Sequence, residues 1–203
     1  MRKINNAPRM FIELEVHDKN GKLIKRYKKE GHSWVGNLFK MICCMARGGT
    51  TFSAYEANTG SSSDMLQDYT GGYTQWALGG PQSDVYVGML AGANEDRFGI
   101  LVGSNDTPVS LSDFNLGSRI SNSVLTHGAT SLDGPYYGNT YYFTLTRQFT
   151  NNSGSTVTVK EMGLFFSRYT TFFLFARDVI SPSIDIPNGG TLTCRYRIEQ
   201  SLT

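Results

Sequence analysis

Three stretches of the chain alternate apolar and polar residues with a period of two, and this alternation constrains the fold more than any other feature. Successive side chains of a β-strand point to opposite faces of the sheet, so each stretch predicts a strand with one buried face. The apolar positions are Ile12, Leu14 and Val16; Tyr141, Phe143, Leu145 and Phe149; and Leu192, Cys194, Tyr196 and Ile198. With 22 glycines, 11 tyrosines and 12 phenylalanines, the composition also favours strands and turns over long helices.

Turns rich in Asn, Gly and Pro, which tolerate positive φ or fix the chain direction, separate these strands at residues 18–21, 151–154 and 187–190. We predict a hairpin over residues 11–27. Over residues 147–166 we predict two strands joined by a tight turn, which close one sheet and present an apolar hairpin edge.

Further strands are predicted at residues 85–90, 98–102, 118–126 and 172–176, and the segment 167–173 is expected to expose aromatic rings. The total of about eight to ten short strands is typical of an antiparallel β-sandwich or a jelly-roll-like domain. The predicted fold class is therefore mainly β.

One N-terminal amphipathic helix is predicted, roughly at residues 33–46. Ser33 is a capping residue, and the two glycines at 48 and 49 end the helix. Its apolar stripe consists of Trp34, Leu38, Met41 or Ile42, and Met45. We therefore divide the chain into a basic N-terminal hairpin and helix (1–48), a loop region rich in Gly, Ser and aromatic residues (49–82) and a β-sandwich core (83–203).

Charge is distributed unevenly along the chain. Residues 1–50 contain 11 Lys and Arg against 4 Asp and Glu, net +7, whereas residues 51–203 contain 8 against 13, net −5. The two parts are expected to attract each other, within one molecule or between copies. The densest basic run consists of Lys22, Lys25, Arg26, Lys28 and Lys29. It fits a solvated hairpin edge that blocks strand pairing, a contact with an acidic neighbour, or a contact with nucleic-acid phosphates.

Three cysteines, Cys43, Cys44 and Cys194, do not make a disulfide framework, which favours synthesis in a reducing compartment. Cys43 and Cys44 lie in the predicted helix and are expected to be small buried residues. The first residues lack the apolar region of a signal peptide, and no run of about 18 apolar residues exists. We expect synthesis in the cytoplasm and no membrane span.

The search for chemistry finds no catalytic or metal-binding motif, neither a Gly-x-Ser-x-Gly elbow nor a His-Glu-x-x-His, Cys-x-x-Cys or phosphate-binding sequence. The three histidines, His17, His32 and His127, are isolated and are expected to be ordinary surface residues. We expect no enzyme activity, no cofactor and no metal.

Two weaker patterns have structural explanations. A calcium loop at Asn105, Asp106 and Asp113 lacks the spacing of an EF-hand. Arg177 and Asp178 follow an apolar strand and are expected to form a local ion pair or to cap the strand end, rather than to act as a catalytic dyad.

The second half of the chain contains an ordered set of motifs. They are GILVGSNDTPVSLSDFNLGSRI at 99–120, LTRQFTNNSGSTVTVKEMGLFF at 145–166 and LFARDVISPSIDIPNGGTLTCRYRIE at 174–199. In this order they resemble structural (virion) proteins of tailed bacteriophages, over about half of the chain. The resemblance implies a component of the virion whose partners are copies of itself and other virion proteins, and it implies no catalytic residue.

The expected function is therefore structural: a capsid-associated, neck or tail protein that acts by protein–protein assembly. The candidate contact residues are Trp34, Leu38 and Phe39 on the helix; Tyr69, Tyr73 and Trp76 in the loop region; and Lys25, Arg26, Lys28 and Lys29 for acidic neighbours. The alternative is a carbohydrate-binding module displayed on the particle, in which sugars stack on Trp76, Tyr136 and Tyr137.

Overall fold

The structure, a computed structural model, describes residues 8–31, 34–39, 42, 52–55, 62–65, 81–82, 85–168 and 171–201. This part of the chain is mainly β, in antiparallel sheets, as predicted. The predictions for His32, Ser33, Met41, Cys43, Cys44, Met45, Tyr69, Tyr73 and Trp76 lie outside the described residues. The division into arm, loop region and core stays a prediction.

The described strands, in chain order, are β1 (Arg9–His17), β2 (Leu23–Gly31), β3 (Phe52–Tyr55), β4 (Ser62–Met65), β5 (Pro81–Gln82), β6 (Val85–Gly88), β7 (Gly99–Gly103), β8 (Leu125–His127), β9 (Ser131–Tyr136), β10 (Thr140–Asn151), β11 (Val157–Arg168), β12 (Thr171–Ile186) and β13 (Thr191–Ser201). Sheet A has the order β2-β1-β13-β10-β8, and β9 also pairs with β10, beside β8. Sheet B has the order β12-β11-β6-β5, and β7 also pairs with β11. β3 and β4 form a separate pair.

The predicted hairpin of β1 and β2 is confirmed, with Lys28 opposite Glu13. Its turn depends on Asp18, whose carboxylate accepts the backbone N–H groups of Asn20 (2.8 Å) and Lys22 (3.0 Å). Gly21 completes the turn at φ 77°, where a side chain would be strained.

The buried faces of the two sheets meet in one apolar core. Sheet A contributes the alternating positions predicted from the sequence, among them Leu14, Phe149 and Cys194, all fully buried. Sheet B contributes residues of β11 and β12, such as Met162 and Phe175. Burial raises the pKa of the Cys194 thiol, which keeps it protonated and unreactive.

In sheet B, β7 and residues 172–178 of β12 are buried on both faces, which explains the continuous apolar run at residues 172–176. A second apolar cluster lies on the face of sheet B that points away from the main core. It consists of Val35, Ala91, Phe98, Leu101, Leu116, Phe165, Phe172 and Leu174. The prediction that residues 167–173 expose aromatic rings is wrong for Phe172 and Phe173, since one side chain enters each cluster.

The two strands and the turn predicted over residues 147–166 are confirmed, but their pairing as a hairpin is wrong, because β10 belongs to sheet A and β11 to sheet B. The turn between them is a corner where the chain passes from one sheet to the other. The connection from β12 to β13 crosses at the same corner. There the fully buried Asn151 joins the two connections. Its side-chain amide donates to the carbonyl oxygens of Ser155 and Ile186, both at 2.8 Å. Its backbone N–H donates to the carbonyl oxygen of Gly190 at 2.9 Å.

The strand predicted at 118–126 is mostly absent. Arg119 forms an isolated bridge with Gly103, residues 122–124 form a turn, and β8 begins at Leu125. β9 was not predicted, because its sequence Ser-Leu-Asp-Gly-Pro-Tyr does not alternate and contains the strand-breaking pair Gly134 and Pro135.

The helix is described at residues 36–39 and 42. Its start is fixed on β12, since the Val35 N–H donates to the carbonyl oxygen of Phe175 at 2.9 Å. Trp34 and Leu38 pack half-buried against the main core, whereas Phe39 and Ile42 are 69% and 51% exposed. No helix among the described residues has the length and apolarity needed to cross a membrane.

Candidate functional site

Arg147 occupies an inward-facing position of β10 and is fully buried. Its guanidinium donates to five backbone carbonyl oxygens, those of Gly92 (3.3 Å), Glu95, Phe98 (3.1 Å), Ile100 (2.9 Å) and Gly128 (2.8 Å). Burial lowers its pKa to about 10, so the group stays charged at neutral pH. Sequence reasoning missed this residue, although an arginine within an alternating apolar series was the available signal.

His127 lies next to Arg147 and is buried, which corrects the expectation of an ordinary surface histidine. The edge of its ring meets Phe149 at a centroid distance of 4.9 Å, and its Nδ1 is 3.5 Å from the carbonyl oxygen of Glu95. Its Nε2 has no hydrogen-bond partner in the described part of the chain. Desolvation and the charge of Arg147 lower its pKa to about 4, so the ring is neutral at pH 7. His17 lies half-buried on the polar face of β1.

Glu161 in β11 is, like Arg147, a fully buried charged residue. Its carboxylate accepts the backbone N–H groups of Asn105 (3.3 Å), Gly117 (3.1 Å) and Ser118 (2.9 Å), and the Nε–H of Arg177 (2.8 Å). These contacts tie the loop between β7 and β8 to sheet B at residue 105 and again at residues 117 and 118. The carboxylate is thus engaged on both oxygens by the protein itself.

Arg177 extends this network to the middle of the same loop. It donates to the carboxylate of Asp113 (2.9 Å) and to the carbonyl oxygen of Thr107 (3.0 Å). The expected pair with its neighbour Asp178 is replaced by these contacts, because adjacent strand residues face opposite sides. On that other side, the Tyr196 hydroxyl lies 3.4 Å from the Asp178 carboxylate.

The three residues of the weak calcium-loop pattern do not converge on one point. Asp113 accepts from Arg177, Asp106 pairs with Lys160 at 3.0 Å, and the side-chain oxygen of Asn105 accepts the N–H of Thr107 at 2.6 Å. The described residues contain no group of three or more His, Cys, Asp or Glu side chains arranged to hold a metal.

An open pocket of about 290 Å³ lies on the outer, polar face of sheet A. Its lining comes from five neighbouring strands and consists of Phe11, Glu13, Lys28, Asp133, Thr144, Thr146, Arg195 and Arg197. The register explains the shape: Thr144 and Thr146 of β10 lie between the longer Arg197 and Arg195 of β13 on one side and Asp133 of β9 on the other. Two short side chains between longer ones leave a depression.

Ion pairs outside the pocket hold its two arginines. Glu15 accepts a hydrogen bond from Arg195 at 2.7 Å and another from Arg26 at 2.8 Å, and these contacts, the one with Arg195 first, keep the pKa of the Glu15 carboxyl low. Arg197 donates to Glu199 at 2.8 Å. The pocket therefore has charged walls that are fixed before any ligand arrives.

Tyrosines border the pocket at the edge formed by β9 and β10. The rings of Tyr136 and Tyr142 pack at a centroid distance of 4.9 Å, and the Arg197 guanidinium lies over Tyr142 at 3.6 Å. The Tyr136 hydroxyl donates to Asp133 at 2.5 Å, and this bond raises the pKa of Tyr136. Of the three residues in the carbohydrate hypothesis, Tyr136 contacts the lining residue Asp133, while Tyr137 packs edge-on against Tyr141.

The basic residues of β2 are partly engaged within the chain. Lys25 donates to the carbonyl oxygen of Ser183 at 2.7 Å, and Arg26 pairs with Glu15. Lys28 lines the pocket and Lys29 is exposed. The basic run therefore does not form one continuous basic surface, because Lys25 and Arg26 bind other parts of the chain and Lys28 lines the pocket.

Comparison with protein-family models, curated proteins and solved structures finds no match for this chain. Function is consequently inferred from its own residues and surfaces.

Proposed function

We propose that the protein is a structural component of a tailed-phage virion, a capsid-associated, neck or tail protein, which acts through contacts with copies of itself and with other virion proteins. The phage assignment rests on the motif order of residues 99–199. The assembly role rests on one structural observation, an exposed apolar edge on β9 and β10. We call it the tyrosine edge, formed by Leu132, Tyr136, Tyr137 and Tyr141, which are 40%, 43%, 76% and 48% exposed.

The tyrosine edge has properties that suit an interface. Tyrosine combines a large apolar ring with a hydroxyl and loses little side-chain entropy when it becomes fixed, and it is common among residues that dominate binding energy. Leu132 is exposed although it pairs with the buried Leu145 and points to the same face. β9 is an edge strand within the described chain, so its outer backbone groups also support contact with a partner.

We further propose that sheets A and B form a two-layer β-sandwich with jelly-roll-like character. The shared core of both sheets supports the layers. The jelly-roll element is supported by the corner at Asn151, where the strand pair β10 and β13 of sheet A continues as the pair β11 and β12 of sheet B. A ribbon of two strands that folds over a core in this way is how jelly rolls are built.

Self-association tests the assembly role. We expect the purified protein to form oligomers whose population rises with concentration in sedimentation velocity. A Tyr137→Ser, Tyr141→Ser double variant is expected to raise the midpoint concentration at least about tenfold, since truncating two central aromatic residues costs more than about 1.4 kcal/mol. The matched control is Leu111→Ser, which removes a side chain 76% exposed outside this edge and is expected to leave the midpoint unchanged.

A monomer at all concentrations, or equal effects of the double variant and the control, would argue against the tyrosine edge as a self-interface. Virion location is tested separately by immunogold electron microscopy of particles sedimented from lysates of cells that produce the protein. Label on phage heads or tails is expected, and particles without label would reject the virion assignment.

A further inference from the structure

The pocket on the outer face of sheet A has unused hydrogen-bond donors. Arg195 uses one terminal nitrogen for Glu15, and Arg197 uses its Nε for Glu199. The remaining N–H groups of both guanidiniums form no hydrogen bond within the described residues. Both side chains are about one third exposed, at 31% and 38%, so a ligand in the open pocket can reach them.

Charge and geometry indicate an anion as the preferred ligand. Three cationic side chains, Lys28, Arg195 and Arg197, line the pocket together with two carboxylates, Glu13 and Asp133. Guanidinium groups bind carboxylates in a planar, two-bonded arrangement that an ammonium group cannot offer. Because Glu15 and Glu199 already orient the arginines, a carboxylate would bind without a large entropy cost.

The opposite wall of the pocket suits hydroxyl groups. Asp133 uses one carboxylate oxygen for Tyr136, and its other oxygen is a free acceptor within the described part of the chain. The hydroxyls of Thr144 and Thr146 on the floor can both donate and accept. Phe11 supplies the apolar surface on which the C–H face of a sugar ring packs.

We infer that this pocket binds an acidic sugar, one monosaccharide unit of the hexuronic acid type. Its carboxylate lies between Arg195 and Arg197, and its hydroxyls face Asp133 and the two threonines. The volume of about 290 Å³ lies just below the range of about 300–1,000 Å³ for small-molecule sites, which fits a single unit. This site differs from the stacking hypothesis of Trp76, Tyr136 and Tyr137, and it does not depend on the assembly role.

The test is a titration of the ¹⁵N-labelled full chain by NMR with three probes: sodium glucuronate, glucose and sodium acetate. Glucuronate is expected to shift the amide signals of Asp133, Thr144, Thr146, Arg195 and Arg197 saturably at millimolar concentration. Glucose, which lacks the carboxylate, and acetate, which lacks the hydroxyls, are each expected to bind at least about tenfold more weakly.

Two variants and one control locate the effect. Arg197→Gln and Asp133→Asn are each expected to weaken glucuronate binding at least about fivefold, while their spectra outside the pocket stay unchanged. Lys29→Gln removes the same charge as Arg197→Gln, at an exposed position outside the pocket lining, and is expected to change the affinity less than twofold. No saturable shift with glucuronate, equal shifts with acetate or glucose, or an equal loss in Lys29→Gln would each overturn the inference.

Discussion

Acidification should destabilise the protein through His127. In the folded protein the ring is buried beside the Arg147 guanidinium, and its pKa is about 4, compared with 6.5 for a free histidine. Below pH 6.5 the unfolded chain therefore binds a proton at this position that the folded protein does not bind. Stability is lost as the pH falls from 6.5 towards 4, and the loss ends where the folded ring also becomes protonated.

The size of the loss follows from the two pKa values. Each pKa unit corresponds to about 1.4 kcal/mol, so complete passage through the window lowers the free energy of unfolding by about 3 kcal/mol. About half of this loss is expected by pH 5. The groups that act on the ring are the backbone carbonyl groups of Glu95 and Ile120 and the charges of Arg147 and Asp96. None of them forms an ion pair with the imidazole in the described structure.

The assay is urea unfolding of the wild type, His127→Gln and His17→Gln at several pH values between 4.5 and 7.5. The carboxylates titrate in all three proteins, so the difference between wild type and His127→Gln isolates the buried ring. We expect the wild type to lose about 1 to 2 kcal/mol more than His127→Gln between pH 7 and 5. His17→Gln, at a half-exposed position, should follow the wild type. Identical pH dependence of wild type and His127→Gln would refute the reasoning.

Two further substitutions test the buried polar residues at neutral pH. Glu161→Gln removes the charge that Arg177 and three backbone N–H groups share, and should lower the free energy of unfolding by about 3 to 5 kcal/mol, measured by urea unfolding. The control is Glu30→Gln, which breaks an exposed pair with Arg9 and should lower the free energy of unfolding by less than about 1 kcal/mol. Equal losses would contradict the role of burial. Asn151→Ala leaves two carbonyl oxygens at the corner without their donor. It should lower the free energy of unfolding by about 2 to 3 kcal/mol and the melting temperature by several degrees, while Asn152→Ala, at an exposed position, should change both very little. An unchanged melting temperature in Asn151→Ala would contradict the structural role of Asn151 at the corner.

The sequence predicted strands and their buried faces well where burial of one face produces a clear alternation of apolar and polar residues. Between Leu192 and Ile198 the inward residues are those that the period of two selected. In β10, Leu145 and Phe149 are buried as predicted, whereas Tyr141 is 48% exposed and the inward Arg147 was not among the predicted positions. Local chemistry sufficed there, because each strand has one apolar and one wet face. It also sufficed at the turn of Asp18, where the hydrogen bonds of the turn join residues within the five positions 18–22.

Pairing could not be predicted in the same way. The residues 151–154 specify a reversal of the chain, but whether the following strand pairs with the preceding one depends on the core that both must cover. β10 instead pairs with β13, whose first residue is 40 positions beyond Asn151. The pocket was missed for the same reason, because its lining joins β1, β2, β9, β10 and β13, and no local pattern contains all of them.

Arg147, Asn151 and Glu161 give the stretch 147–166 its physical role. Each is fully buried, and each binds backbone groups of other parts of the chain through its side chain. The Arg147 side chain holds carbonyl groups at residues 92–100, the Asn151 side chain those of Ser155 and Ile186, and the Glu161 side chain N–H groups at residues 105–118. Because backbone groups removed from water must find partners, three polar side chains inside an apolar ribbon fix loops that could not otherwise lie against a sheet. The strands of this stretch thus act as a scaffold that orders the neighbouring loops, while sheet A presents the charged pocket on its outer face and the tyrosine edge beside β9 and β10.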